Sequence, residues 1–110
     1  MPTRQLKCEE LTKTIMECFD NSMDNRFTLE EREEFLVQGK ILRDSLVNLV
    51  SAVFTEGTVE VVETERIIKE INKKLKEKDQ LFNNVATVTG DIAKLVSILD
   101  DLLKLAASFV

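Results

Sequence analysis

A long apolar stripe is the feature that most constrains how this chain can fold. From Val61 to Val110, mostly apolar side chains recur at alternating spacings of three and four residues, which is the periodicity of one helix face. As one straight helix, these residues would extend about 75 Å, too far for a single small monomer to bury the whole stripe. We therefore expect the segment either to break or to associate with a second chain.

Start and stop signals divide the chain into helices. Thr28-Leu29-Glu30-Glu31 has the form of a capping box, which predicts a helix start at Leu29, and Gly57 followed by Thr58 predicts an end and a new start. Gly90 is the expected break in the long stripe, because glycine weakens a helix interior by about 1 kcal/mol relative to alanine. The sequence predicts an all-α, up-and-down bundle of three to four helices in one domain, 1–110. The expected helices span about 4–20, 29–55, 59–89 and 91–108, the last two being either separate or continuous.

Composition narrows the classes of function. The chain has no histidine, which removes imidazole bases, histidine metal ligands and the usual nucleophile pairs, so we expect no enzyme. Its net charge of −5 repels phosphate backbones, so nucleic acid is not an expected partner. Cys8 and Cys18 would lie about 15 Å apart on one helix, beyond disulfide reach, which favours a reduced, cytoplasmic setting.

The turn before Leu29 has a distinctive order of oxygen-bearing residues. The twelve residues 20–31 lie between two predicted helices and offer oxygens at the first, third, fifth, seventh, ninth and twelfth positions. This pattern resembles the calcium loop of the EF-hand family, and the resemblance implies calcium as the only candidate cofactor. The implied ligands are Asp20, Ser22, Asp24, the backbone carbonyl of Arg26, Thr28 and Glu31.

The loop departs from the family pattern. Asn25 stands where the family has glycine, Arg26 brings a positive charge to the site, and no second loop of this kind occurs in the chain. The same residues also fit a polar turn followed by an ordinary capping box, because Asp, Asn and Ser are common turn residues. Both interpretations remain open at the level of sequence.

The segment 91–110 has one apolar and one polar face. Its apolar face is expected to be core or an interface between subunits. The residues predicted for that interface are Ile92, Leu95, Val96, Leu99, Leu102, Leu103, Ala106 and Phe109. A membrane-surface helix is the alternative, but three Asp against two Lys in this segment oppose binding to anionic lipid, so we do not expect membrane contact.

These observations predict a protein-interaction module without enzymatic activity. Its expected partner is a second copy of the chain or another helical protein, because the apolar stripe is longer than the one that a small monomer can bury by itself. The alternatives are a calcium-binding protein with a single EF-hand-like loop, and a membrane-surface-active protein that acts through residues 91–110.

Overall fold

Four long helices build the part of the chain that the structure describes. The computed structural model describes residues 2–109, and the side chains of residues 2–108. The helices are α1 (Glu9–Ser22), α2 (Leu29–Leu49), α3 (Val59–Lys76), the short α4 (Lys78–Leu81) and α5 (Val85–Lys104). Both α1 and α5 pack against α2 and α3, so α2 and α3 lie on the diagonal of the bundle. The predicted all-α helical bundle is confirmed.

Within residues 2–109, three very short strands accompany the bundle. They are β1 (Thr3–Arg4), β2 (Ala52–Thr55) and β3 (Ser108–Phe109), and β2 pairs antiparallel with both of the others. Arg4 lies opposite Phe54, and Ser108 lies opposite Val53. The first and last described segments of the chain are therefore held together by the segment between α2 and α3.

The second helix is shorter than expected because residues 50–55 leave the helix. We predicted a helix to residue 55, whereas α2 ends at Leu49. In β2, Ala52 and Phe54 are fully buried while Thr55 is exposed, which is the alternation of a strand. Gly57 then adopts φ +89°, a left-handed conformation suited to glycine, in the turn that leads into α3.

The long C-terminal stripe breaks earlier than expected. We predicted the break at Gly90, but α5 runs through Gly90, and residues 77–84 make the connection instead. The backbone leaves the helical region at Glu77 (φ −82°, ψ 72°), and the exposed residues Asn83 and Asn84 form the turn before α5. The break lets α5 fold back onto α3, so one chain buries a stripe that an unbroken helix could not.

A glycine allows the two N-terminal helices to approach closely. A Cβ atom at Gly39 of α2 would lie 3.1 Å from Cε1 of Phe19 and 3.2 Å from Cβ of Cys18, both on α1. Real Cβ contacts are rarely so short, so the α1–α2 packing depends on the missing side chain. This packing fixes which side of α2 faces the bundle and which faces outward.

Candidate interaction surface

The second helix has two distinct faces. Its inner face is buried against α1 and α5 and consists of Phe35, Gln38, Gly39, Leu42 and Leu49. On the opposite side, three apolar side chains are open to solvent: Leu36, Val37 and Ile41 are 36%, 51% and 41% exposed. They lie within about one and a half turns of the middle of the helix, so they form one patch.

Charged residues surround this patch in an ordered way. Glu30 and Glu33 precede it, Lys40, Arg43 and Asp44 lie within or beyond it, and all five are exposed. None of the five forms an ion pair among the described residues. Arg43 instead lies over the ring of Phe19 at 5.9 Å. We call Glu33, Leu36, Val37, Lys40, Ile41 and Asp44 together the α2 outer face.

None of the site residues predicted from the sequence lies on this surface. Helix α2 also leaves Val47 and the C-cap residue Val50 67% and 57% exposed. The sequence signal for the surface is the pair Val37 and Ile41, which lie four residues apart and therefore on one side of a helix. Helix α2 therefore carries apolar side chains on two sides, and only the inner side is packed within the described chain.

The predicted C-terminal interface lies mostly inside the fold. Ile92, Leu95, Leu99 and Leu102 are at most 1% exposed, because they face the core that α5 forms with α2 and α3. Val96, Leu103 and Ala106 are half-buried against that core, and the side chain of Phe109 lies outside the described residues. A partner cannot reach the four buried residues in the folded chain. Their burial also removes the apolar face that a membrane-surface helix would need.

The predicted calcium ligands are not arranged as a loop. Helix α1 continues to Ser22, so Asp20 and Ser22 both lie on its last turn. The Ser22 hydroxyl donates to the carbonyl oxygen of Phe19 at 2.6 Å. The turn that follows spans only residues 23–28, half the length of the twelve-residue loop.

The other predicted ligands have partners within the chain. Asp24 accepts from the backbone N–H of Arg26 at 3.0 Å and from its guanidinium at 2.7 Å, and this hydrogen bonding lowers the pKa of the Asp24 carboxyl to about 2. Thr28 Oγ1 accepts from the Glu31 N–H, while Glu31 Oε1 accepts from the Thr28 N–H at 2.9 Å, which confirms the predicted capping box. Within residues 2–109, no group of three or more Cys, Asp or Glu side chains is placed to hold a metal ion.

A small pocket lies where α3, α4 and α5 meet. It has a volume of about 160 Å³, with Leu81 and Val88 as its apolar lining. Its polar lining includes Lys74, whose ammonium is already paired with Asp91 on α5 at 2.8 Å.

The two thiols are poorly suited to nucleophilic chemistry. Cys18 is fully buried, and burial raises the pKa of its thiol to about 12, with a further contribution from the neighbouring Glu17 carboxylate. Burial and Glu65 also raise the pKa of Cys8. Both thiols are therefore protonated at neutral pH, and a protonated thiol is a weak nucleophile.

Three comparisons place no further constraint on the site. No family model, no curated protein and no solved structure matches this chain. Over the described part of the chain, no helix combines the length and the apolar character needed to cross a membrane. The α2 outer face is thus the candidate functional surface on the strength of its own exposure and charge.

Proposed function

We propose that this chain is a protein-interaction module without enzymatic activity, which binds its partner through the α2 outer face. The observation that carries the proposal is the exposure of Leu36, Val37 and Ile41 on a helix whose opposite side is fully packed. Apolar residues gathered in one place on a rigid element are a common basis for helix-mediated protein contacts.

The scaffold supports such a role. The capping box fixes the N-terminal end of α2, and close packing on α1 around Gly39 holds the inner face of the helix in place. A contact surface on a rigid helix loses little conformational freedom when it binds, so more of the contact energy appears as affinity. Patterned charges around an apolar centre add specificity, because a wrong partner places like charges together.

The chemistry of the chain favours binding over catalysis. It contains no histidine, and both thiols are held protonated by their surroundings. The proposal places the module in the cytoplasm, where a reducing environment keeps thiols such as Cys8 and Cys18 unpaired. The calcium-binding and membrane-surface alternatives gain no support from the partners of Asp24 and Glu31 or from the buried apolar face of α5.

Site-specific photo-crosslinking in cells that produce the protein tests this proposal. We would place benzoylphenylalanine at position 36 or 41 of the full chain, and at Lys69 on α3 as an exposed control on the diagonally opposite helix. We expect light-dependent protein adducts of defined mass from positions 36 and 41 but not from position 69. The adducts should also disappear when Val37→Lys is added.

The same experiment can contradict the proposal. If positions 36 and 41 give no adducts, or if the adducts persist unchanged with Val37→Lys, the α2 outer face is not the contact surface. Val62→Lys is the matched control, because Val62 on α3 is 56% exposed and Val37 is 51% exposed. A loss of adducts with Val62→Lys as well would point to a general effect of added charge.

A further inference from the structure

We infer that the partner of the α2 outer face is a second copy of this chain, bound with the two α2 helices antiparallel about a two-fold axis near Leu36 and Val37. This inference rests on the proposed function, since it names the partner of the same surface. The order of charges along α2 and the position of the apolar patch within that order support a second copy as the partner.

The α2 outer face carries opposite charges on the two sides of its apolar centre. Glu33 lies on the N-terminal side of Leu36 and Val37, and Lys40 lies on the C-terminal side, followed by Asp44. Glu33 and Lys40 are equally far along the chain from the Leu36–Val37 midpoint, and their seven-residue spacing brings them to nearly the same side of the helix. A surface with this arrangement is complementary to itself after a two-fold rotation.

The antiparallel register follows from that symmetry. When the two-fold axis passes between Leu36 and Val37, Glu33 of one copy faces Lys40 of the second copy, because the two residues lie within about 20° of each other around the helix axis. By symmetry this ion pair occurs twice, around an apolar centre of Leu36 and Val37 from both chains. The exposed Asp44 then approaches the N-terminal end of the second α2, where the helix dipole favours negative charge.

Other arrangements of the same two helices are less favourable. A parallel pair would place Glu33 beside Glu33 and Lys40 beside Lys40, so that like charges meet at every position. An antiparallel pair shifted by one turn, with its centre between Val37 and Lys40, would bring Glu33 opposite Asp44. Charge therefore favours the antiparallel register centred on Leu36 and Val37 over these two arrangements.

These charges are available for contacts between chains. Glu33 and Lys40 are seven residues apart, about 10 Å along the helix axis, which is too far for an ion pair within one α2. Among the residues that the structure describes, neither of them forms an ion pair elsewhere. Exchanging their signs therefore affects an attraction between chains and leaves the bundle interior untouched.

The size of the surface sets the expected strength. Helix α2 has 21 residues and a length of about 31 Å, so one of its faces offers less area than the roughly 800 Å² per partner typical of stable complexes. We expect a dimer that dissociates on dilution. Its mass must accordingly be measured over a range of concentrations.

Charge exchange in the purified full chain tests the inference, with mass followed by light scattering and sedimentation. We expect a concentration-dependent dimer for the unmodified chain. Glu33→Lys alone and Lys40→Glu alone should each weaken the dimer about tenfold, because each replaces two attractive pairs with two repulsive ones. The double variant Glu33→Lys with Lys40→Glu should restore it. Lys69→Glu on α3 is the matched control for the change in net charge and should leave the dimer unchanged.

The outcomes separate this inference from the proposed function. A monomer at every concentration, or a dimer that the single variants leave intact, overturns the inference. The photo-crosslinking result still stands by itself in that case: adducts of another mass from positions 36 and 41 would keep the interaction module with a different partner. If positions 36 and 41 give no adducts and the purified chain is monomeric, both the dimer and the proposed function of the α2 outer face are wrong. The three substituted positions, Glu33, Lys40 and Lys69, are all exposed, and unchanged helix content by circular dichroism verifies that the four variants fold.

Discussion

The Oγ1 atom of Thr14 on α1 lies 2.5 Å from the Oδ1 atom of Asn72 on α3, and this hydrogen bond joins the two helices inside the bundle. The amide group of Asn72 also donates to the backbone carbonyl of Glu10 at 2.8 Å and to its carboxylate at 2.9 Å. Asn72 thus uses both ends of its side chain to connect α3 with α1. Buried polar groups that are fully satisfied in this way help to fix one packing of neighbouring helices.

Replacing Asn72 with aspartate should destabilise the bundle. The substitution keeps the acceptor for Thr14 but puts a carboxylate where the amide donates to Glu10. We expect a loss of about 2–3 kcal/mol in the free energy of unfolding at neutral pH, measured by chemical denaturation. Asn83→Asp in the exposed turn before α5 makes the same change in charge and should have little effect.

The destabilisation by Asn72→Asp should become smaller as the pH falls. In the unmodified chain, the hydrogen bond from Asn72 lowers the pKa of Glu10, so its contribution to stability is present above the usual Glu pKa and is lost in acid. In the variant, repulsion raises the pKa values of the two carboxyls in the folded state, so protonation relieves it. A difference between the two proteins that stays constant from pH 7 to pH 4 would contradict this explanation.

The two helical glycines should respond oppositely to alanine. Gly90 lies within α5 with no atom within 4 Å of an added Cβ, so Gly90→Ala should stabilise the protein by about 1 kcal/mol through helix propensity. At Gly39 the added Cβ would press on Cys18 and Phe19 of α1, so Gly39→Ala should cost about 1 kcal/mol despite the same gain in propensity. Thermal unfolding of both variants tests this. Stabilisation by both would mean that α1 and α2 can separate at little cost.

Gly90 shows why the position of the break in the C-terminal stripe could not be predicted from local sequence. Gly90 was the strongest break signal in the C-terminal stripe, yet packing of Val88, Ile92 and Leu95 in the core outweighs a penalty of about 1 kcal/mol. The true break carries weaker local signals, chiefly Asn83 and Asn84, and it is fixed by tertiary contacts. Phe82, within the connection 77–84, packs on Phe27 with ring centres 4.7 Å apart. The two residues are far apart in the chain, so local sequence patterns do not predict this contact.

Capping and helix periodicity were predictable, while the outward side of α2 was not. The Thr28–Glu31 capping box depends only on residues within one turn, so the sequence sufficed to predict it. Which of two apolar stripes on α2 faces the bundle depends on how α1 and α5 approach it, and that is a property of the whole fold. The four-residue spacing of Val37 and Ile41 places them on one side of the helix, but only the packing of α1 and α5 shows that this side is exposed.

The turn between α1 and α2 should not respond to calcium. Because Glu31 already caps α2 and Asp24 is paired with Arg26, we expect no shift in the melting temperature at millimolar calcium. Glu31→Gln keeps an oxygen that can accept from the Thr28 N–H, so it should lose only the favourable charge near the helix start, about 0.5 kcal/mol. Glu30→Gln, which makes the same change in charge without a capping role, is the control.

A calcium-dependent rise in melting temperature would reverse that interpretation. If the rise vanishes in Glu31→Gln but persists in Glu30→Gln, the resemblance of residues 20–31 to the EF-hand loop reflects real ligands. The end of α1 would then have to unwind, since Asp20 and Ser22 lie on its last turn.

Leucine substitutions on α5 distinguish a core role from an interface role. Leu99 is 1% exposed, so Leu99→Ala should lower the free energy of unfolding by about 3 kcal/mol by removing buried contacts and leaving a cavity. Leu105, just after α5, is 50% exposed, and Leu105→Ala should cost far less. The concentration dependence of the mass in solution should be the same for the folded Leu99→Ala protein as for the unmodified chain, because the buried side chain touches no partner. If Leu99→Ala keeps its stability but no longer associates, the interface between chains lies on α5 and not on the α2 outer face.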